Sequence, residues 1–259
     1  MIPGQEGGLP PLTRRLLGWE IVVVFAVSLG RSGLLAAISF IGSITARKAL
    51  GQQQALLIGS MAPGRPLLDL SLQLANILLS LAPVALVFYL LARSGESPSA
   101  IGLDATRPAS DLARGAVLAA VIGGLGLGLY LGAFHLGVNL NVVPENLPAV
   151  WWRIPVLILD GLQNGILEEI VVLAYLLRRL DQLDWSPAAA IALSAVLRGS
   201  YHLYQGLGGF LGNAAMGVVF GILYRRWGRV TPFIIAHALI DAVAFVGYAA
   251  LHGHVSWLP

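Results

Sequence analysis

Long apolar runs recur along this chain with little polar sequence between them, and this pattern constrains the fold more than any other feature. A bilayer core is crossed by a helix of about 20 apolar residues. Of the 259 residues, 57% are hydrophobic and 11% are charged, whereas a soluble domain has roughly 25% charged residues. The sequence therefore predicts an integral membrane protein without a second, water-soluble core.

The spacing of the runs predicts an all-α, polytopic membrane helix bundle with about seven transmembrane helices. The candidate spans are at about 18–43, 66–92, 113–137, 151–178, 187–204, 207–226 and 230–251. Pro83 lies inside the second span and predicts a kink there. In the third span, Gly124, Gly128 and Gly132 form a stripe that favours close helix packing. We divide the chain into N-terminal membrane helices with a cytoplasmic linker, residues 1–109, and a chemical core, residues 110–259.

The arginines predict the orientation, because cytoplasmic loops carry an excess of Arg and Lys. Ten arginines lie on the N-terminal side of the predicted membrane: Arg14, Arg15, Arg93, Arg107, Arg114, Arg178, Arg179, Arg225, Arg226 and Arg229. Four basic residues lie on the other side: Arg47, Lys48, Arg65 and Arg153. The N-terminus is therefore predicted to be cytoplasmic. The loop at 44–65 carries three of the four, and an interfacial or re-entrant segment there would change the number of spans.

Composition also excludes several classes of function. The net charge of +3 comes from arginines near span ends, which gives no reason to expect a nucleic-acid partner. The chain has no cysteine, so disulfides, thiolate metal ligands and a cysteine nucleophile are excluded. The abundance of Ala, Leu, Gly and Arg beside a single lysine suggests a GC-rich bacterial genome. We therefore expect a multi-pass protein of a bacterial plasma (inner) membrane.

Ionisable residues cluster inside the predicted spans, where each costs several kcal/mol unless it is paired or hydrated. They repeat with helical i, i+4 spacing on three spans: Asp160, Asn164 and Glu168 on the fourth, Ser194, Arg198 and His202 on the fifth, and His237 and Asp241 on the seventh. Glu169 adds a second carboxylate beside Glu168. With Asn213 on the sixth span, these residues predict a four-helix catalytic core around a small hydrated cavity.

Such a cavity would hold a carboxylate base, two imidazoles and a cation. These are the groups that a hydrolase uses for catalysis. The structural alternative is a buried ion pair between the glutamates and Arg198 that only locks the bundle. A third possible function is a transporter that relays protons through these residues, but the sequence shows no inverted repeat to support it.

The motifs resemble those of the CPBP family, the CAAX-processing and bacteriocin-processing intramembrane proteases that include the type II CAAX prenyl endopeptidases. The family's EExxxR motif corresponds to residues 168–173, with leucine at position 173 in place of arginine. Its FxxxH motif corresponds to residues 198–202, with arginine in place of phenylalanine. Its HxxxN motif corresponds to residues 237–241, with aspartate at the end.

The resemblance implies an intramembrane endopeptidase in which Glu168 activates water and His202 is its partner on that water. It makes His237 and Asp241 an oxyanion-stabilising or substrate-orienting pair, with Glu169 as support. Arg198 and Asn164 complete the expected supporting set. The departures at Leu173 and Arg198 suggest a swap, in which Arg198 pairs with Glu169 from the other motif.

The resemblance leaves the cofactor unknown, because the family is described both as metal-dependent and as a metal-free glutamate–histidine protease. Glu168, His202 and His237 are the candidate ligands for a divalent metal such as zinc, although no HExxH spacing is present. The expected partners are the lipid bilayer and a membrane-associated protein or peptide substrate. The alternative function is a non-catalytic member of the family that binds and regulates a partner membrane protein.

Overall fold

The computed structural model describes residues 11–255, so residues 1–10 and 256–259 of the two predicted parts lie outside the described chain. The helices are α1 Pro11–Ala26, α2 Leu29–Thr45, α3 Pro66–Ser80, α4 Ala82–Arg93, α5 Pro108–His135, α6 Arg153–Glu168, α7 Leu176–Gln182, α8 Pro187–Tyr201, α9 Leu207–Trp227 and α10 Thr231–Leu251. The strands are β1 Gln54–Ile58 and β2 Asn141–Glu145. The architecture is an all-α membrane bundle with one small sheet.

Several helices start where the sequence provides a suitable first residue. Pro66, Pro108 and Pro187 each occupy the first turn of a helix, where the missing N–H has no intrahelical partner to lose. Ser186 caps α8, because its side chain accepts a hydrogen bond from the Ala189 amide. The second predicted span is interrupted at Leu81, immediately before the turn that contains Pro83.

Arginine contacts hold together one end of the bundle, which we call the basic end. It consists of the segments 93–107, 178–186 and 225–230. Arg179 is fully buried and donates to Glu20 and Glu96 at 2.8 and 2.7 Å. Arg229 donates to Asp104 and to the buried Asp111. These pairs join helices and loops that are distant in the sequence.

The same contacts lower the pKa values of two carboxylates in the basic-end loops. Burial alone would raise the pKa of Glu96, but hydrogen bonds and charge from Arg178, with charge from Arg179, lower it overall. Hydrogen bonds from the Thr106 hydroxyl and amide, followed by the one from Arg229, lower the pKa of Asp104 to about 2. Both carboxylates are therefore held ionised against their arginine partners.

The opposite end, which we call the sheet end, consists of the segments 46–65, 136–152 and 202–206. Strands β1 and β2 pair in parallel there, with Gln54 opposite Asn141 and Leu56 opposite Val143. The loop at 44–65 is therefore tied to the loop after α5. These two short strands were not predicted from the sequence, and the fold remains an all-α bundle.

Four described helical stretches are long and apolar enough to cross a membrane: Pro66–Arg93, Pro108–His135, Leu207–Trp227 and Thr231–Leu251. A fifth span results if α1 and α2, which are bent by 52° at their junction, count as one. The predicted number of seven is not confirmed. Helix α8 has only 15 residues, and the continuous helix 153–182 carries many charged side chains, so neither has the length and composition of an ordinary span.

Glycines bring α6 and α10 into close contact. A side chain at Gly165 would lie 2.9 Å from the Ala238 amide nitrogen, and one at Gly161 would lie 2.9 Å from that of Ala242. By contrast, a side chain at Gly124, Gly128 or Gly132 would meet no described atom within 4 Å. The predicted glycine stripe on α5 therefore does not pack against another described helix, and the close approach lies at α6 instead.

We expect Gly165→Ala to destabilise the bundle, because the new methyl group must push α6 away from α10. Overpacking of this kind costs about 1–3 kcal/mol, so the thermal unfolding midpoint in detergent should fall by several degrees. Gly124→Ala is the matched control and should leave the midpoint unchanged. Equal midpoints for the two variants would contradict the packing described here.

Candidate active site

The candidate site forms where three helices meet inside the bundle. Glu168 is the last residue of α6, His202 directly follows α8, and His237 lies in the second turn of α10. All three were expected from the sequence to share one cavity. The structure brings them together, along with Glu169, Arg198, Asn164 and Asp241.

Glu168 is the centre of the cluster, since four side chains approach its carboxylate. The Tyr201 hydroxyl donates to Oε2 at 2.7 Å, and Nη1 of Arg198 donates to the same oxygen at 3.2 Å. The other oxygen, Oε1, lies 3.7 Å from Nε2 of His202. Oε2 also lies 3.9 Å from Nε2 of His237. One oxygen is therefore held by donors, while the other faces a buried imidazole nitrogen that has no described hydrogen-bond partner.

Glu169 and Arg198 form a buried ion pair. Nη2 of Arg198 donates to Oε2 of Glu169 at 2.7 Å, and neither residue is exposed. This contact was the one expected from the paired departures in the first two motifs. Leu173, at the position of the family's arginine, lies instead among apolar side chains of the core. The guanidinium thus reaches Glu169 from α8 rather than from the same helix.

Glu169 also fixes His237. Nδ1 of His237 lies 2.6 Å from Oε1 of Glu169, and because a carboxylate only accepts, this nitrogen must carry the proton. Nε2 then points toward Glu168 and Asp241, at 3.9 and 3.8 Å. Asp241 in turn accepts a 2.9 Å hydrogen bond from the Asn164 amide. The His237 ring is therefore oriented by one carboxylate so that its other nitrogen, Nε2, faces the site.

The backbone is irregular at this position. Residues Glu169–Tyr175 form a π-helical segment between α6 and α7. Such segments often mark functional sites, because the wider turn rotates the residues that follow. Here the change begins at Glu169, directly after Glu168, so the two adjacent carboxylates can face different partners.

Sequence reasoning missed one residue of the site and misplaced another. Tyr201 was not among the predicted site residues, yet its hydroxyl donates directly to Glu168. Its position three residues after Arg198, on the same face of α8, was the available signal. Asn213 was expected at the cavity, but its amide donates to the Gly209 carbonyl of its own helix. It contributes no described contact to the cluster.

The site is closed toward the basic end and reachable from the sheet end. Residues 170–177, which follow Glu169 toward the basic end, are at most 2% exposed. They pack in the apolar core with Phe220 and Phe233. On the other side, the side chains of His202 and Asp241 remain 16% and 21% exposed. The more exposed side of the cluster therefore faces the two strands.

Glu168, Glu169 and His237 offer ligand atoms within 4.8 Å of one another. His202, which the sequence analysis included among the candidate metal ligands, is not part of this described group. The Arg198 guanidinium already bonds to both carboxylates. A divalent cation held by both glutamates would have to displace this buried cation.

The comparisons with known proteins agree with the motifs. Residues 150–243 match a family model described as "Type II CAAX prenyl endopeptidase Rce1-like". The matched segment contains all three motifs and confirms the resemblance drawn from them. No curated protein and no solved structure matches the chain. Over residues 150–243, the chain is therefore similar to the Rce1-like family of type II CAAX prenyl endopeptidases.

Proposed function

We propose that this protein is an intramembrane endopeptidase that hydrolyses a peptide bond in a membrane-associated protein or peptide. The observation that carries the proposal is the pairing of Glu168 with His202. One carboxylate oxygen faces Nε2 of His202 at 3.7 Å, in a site that is sealed on one side and reachable on the other. A base and an imidazole in this arrangement can hold and deprotonate a water molecule.

In the proposed reaction, Glu168 takes a proton from a water that lies beside its Oε1 and Nε2 of His202 and contacts both. The oxygen of that water attacks the peptide carbonyl carbon, and the carbonyl oxygen becomes an oxyanion. Glu168 then passes the proton to the leaving nitrogen as the C–N bond breaks. His237, oriented by Glu169, presents Nε2 toward the reacting atoms. Tyr201 and Arg198 hold the other oxygen of Glu168 in place.

The proposed reaction needs no metal, since Arg198 supplies the fixed positive charge beside the two carboxylates. Purified protein in detergent should cleave members of a quenched-peptide library at the same rate with and without a strong chelator. Loss of cleavage with the chelator, restored by added zinc, would contradict the metal-free mechanism and leave the peptidase in place. No cleavage by folded protein across the library would contradict the peptidase itself.

The alternative function is a non-catalytic protein that binds and regulates a partner membrane protein. The departures at Leu173 and Asp241 favour it, because they change two positions of the family pattern. The departure at Arg198 argues against it, because this arginine pairs with Glu169 and so replaces the arginine that is missing at position 173. The peptide-library experiment separates the two functions, because a pure binding protein releases no peptide fragments.

We propose that the basic end is cytoplasmic and that the site opens toward the outer face of a bacterial plasma membrane, following the ten-to-four distribution of basic residues. The cysteine-free chain allows a direct test. Gln52→Cys at the sheet end should react with a membrane-impermeant maleimide in intact cells, and Ser99→Cys at the basic end should react only after lysis. Both side chains are exposed. The reverse labelling pattern would overturn the orientation.

A further inference from the structure

A groove runs between α1 and α4 on the surface of the bundle. Its volume is about 350 Å³, within the range of about 300–1,000 Å³ that is typical of small-molecule sites. Most of its lining is apolar, including Val23, Leu86 and Leu90. Trp19 and Val23 are more than half exposed on this surface. Because the bundle spans a membrane, the groove opens toward lipid.

The groove extends from the headgroup level into the hydrocarbon. Arg93 lines one end of it and is the last residue of the apolar stretch Pro66–Arg93. Leu86 lies two turns earlier on α4, about 10 Å deeper along the helix axis. Arginine and tryptophan at the ends of spans lie at the level of the lipid headgroups. The groove therefore has a polar end and an apolar end, as a phospholipid does.

The polar end presents one negative and one positive group. The Tyr175 hydroxyl and Nε of Arg179 both donate to Oε1 of Glu20 at 2.8 Å. The other oxygen, Oε2, accepts no hydrogen bond from residues 11–255, and the Glu20 side chain is 19% exposed. Arg93 is exposed, and its guanidinium lies 5.9 Å from the centre of the Tyr89 ring. It contacts no carboxylate in the described part of the chain.

We propose that the groove binds one phospholipid whose headgroup carries both a phosphate and a primary ammonium. The phosphate pairs with Arg93, the ammonium donates to Oε2 of Glu20, and an acyl chain lies along the apolar lining. Guanidinium–phosphate contacts of this kind are strong because both groups are charged. A purely anionic headgroup would add negative charge beside Glu20, and a quaternary ammonium has no N–H to donate. This inference does not depend on the proposed peptidase function.

The first test needs no variant. Native mass spectrometry in detergent measures the binding of dioleoyl phosphatidylethanolamine, phosphatidylcholine and phosphatidylglycerol, which share their acyl chains and differ in the headgroup. We expect one phosphatidylethanolamine to bind with a Kd about tenfold below that of the other two, because only its ammonium can donate to Glu20. Equal Kd values for the three lipids would overturn the headgroup assignment.

The second test blocks the groove. Val23→Trp places an indole in the space of the acyl chain and should weaken phosphatidylethanolamine binding about tenfold. Val22→Trp is the matched control, because Val22 is equally exposed, at 53% against 52%, but does not line the groove. Equal Kd values in these two variants would place the lipid elsewhere and overturn the proposal. Thermal midpoints report that both variants are folded.

The third test removes the cation of the groove. Arg93→Gln should weaken binding of phosphatidylethanolamine and phosphatidylglycerol alike, about tenfold, because both lipids lose the contact to their phosphate. Arg15→Gln is the control, since Arg15 is an exposed arginine of α1 outside the groove. Equal Kd values in Arg93→Gln and Arg15→Gln would contradict the phosphate contact.

Discussion

Glu168→Gln is expected to abolish peptide hydrolysis while the protein stays folded. Glutamine has the same shape but cannot accept the proton of the attacking water. Loss of a general base lowers rates by about 10²- to 10⁴-fold. The bundle should persist, because Arg198 keeps its 2.7 Å bond to Glu169. The checks are initial cleavage rates of the quenched-peptide library and the thermal midpoint of each protein.

Asp160→Asn is the matched control for this variant. Asp160 lies two turns before Glu168 on α6 and makes no described hydrogen bond to the cluster, so the same chemical change there should leave most of the cleavage rate. If the two variants lose activity equally, the effect comes from general charge in the cavity. If Glu168→Gln retains wild-type rates, Glu168 is not the base.

Arg198→Met is expected to cause a large loss of stability. The variant removes the guanidinium but keeps a long side chain, and it leaves the fully buried Glu169 without its cation. Removing one partner of a buried ion pair costs about 3–5 kcal/mol. The free energy of unfolding in detergent should fall by that amount. Activity should fall as well, because Arg198 also holds Glu168.

Arg225→Gln is the control for the loss of an arginine. Its partner Asp181 is largely exposed, and such surface pairs contribute about 0–1 kcal/mol. A double-mutant cycle of Arg198→Met with Glu169→Gln then isolates the buried pair. The double variant should be more stable than the sum of the two single losses predicts, by about 0.5–3 kcal/mol. Additive losses would mean that Arg198 stabilises the bundle without pairing with Glu169.

The polar cluster could be predicted because helical spacing is a local property. Glu168 and Asn164 are four residues apart, as are His237 and Asp241, so each pair shares a helix face whatever the rest of the fold does. Charged residues in apolar spans must then turn inward and meet. The Glu169–Arg198 contact could also be anticipated, because two departures from one family pattern compensated each other.

Other features depend on contacts that no local pattern reports. The strands β1 and β2 are short apolar segments separated by more than 80 residues, and a short apolar run alone does not distinguish strand from helix. The glycine stripe on α5 has the same spacing as Gly161 and Gly165 on α6. Only the packed structure shows that the α6 pair meets α10. The π-helical segment after Glu168 has no sequence signal that we recognise.

The central claim is that Glu168 and His202 hydrolyse peptide bonds in membrane-associated chains. The most direct test is mass spectrometry of new peptide termini in membranes of cells that express wild type or Glu168→Gln at equal levels. We expect a set of termini that appear only with wild type and that map within or beside membrane segments of other proteins. Identical termini in both membranes, with both proteins folded, would contradict it.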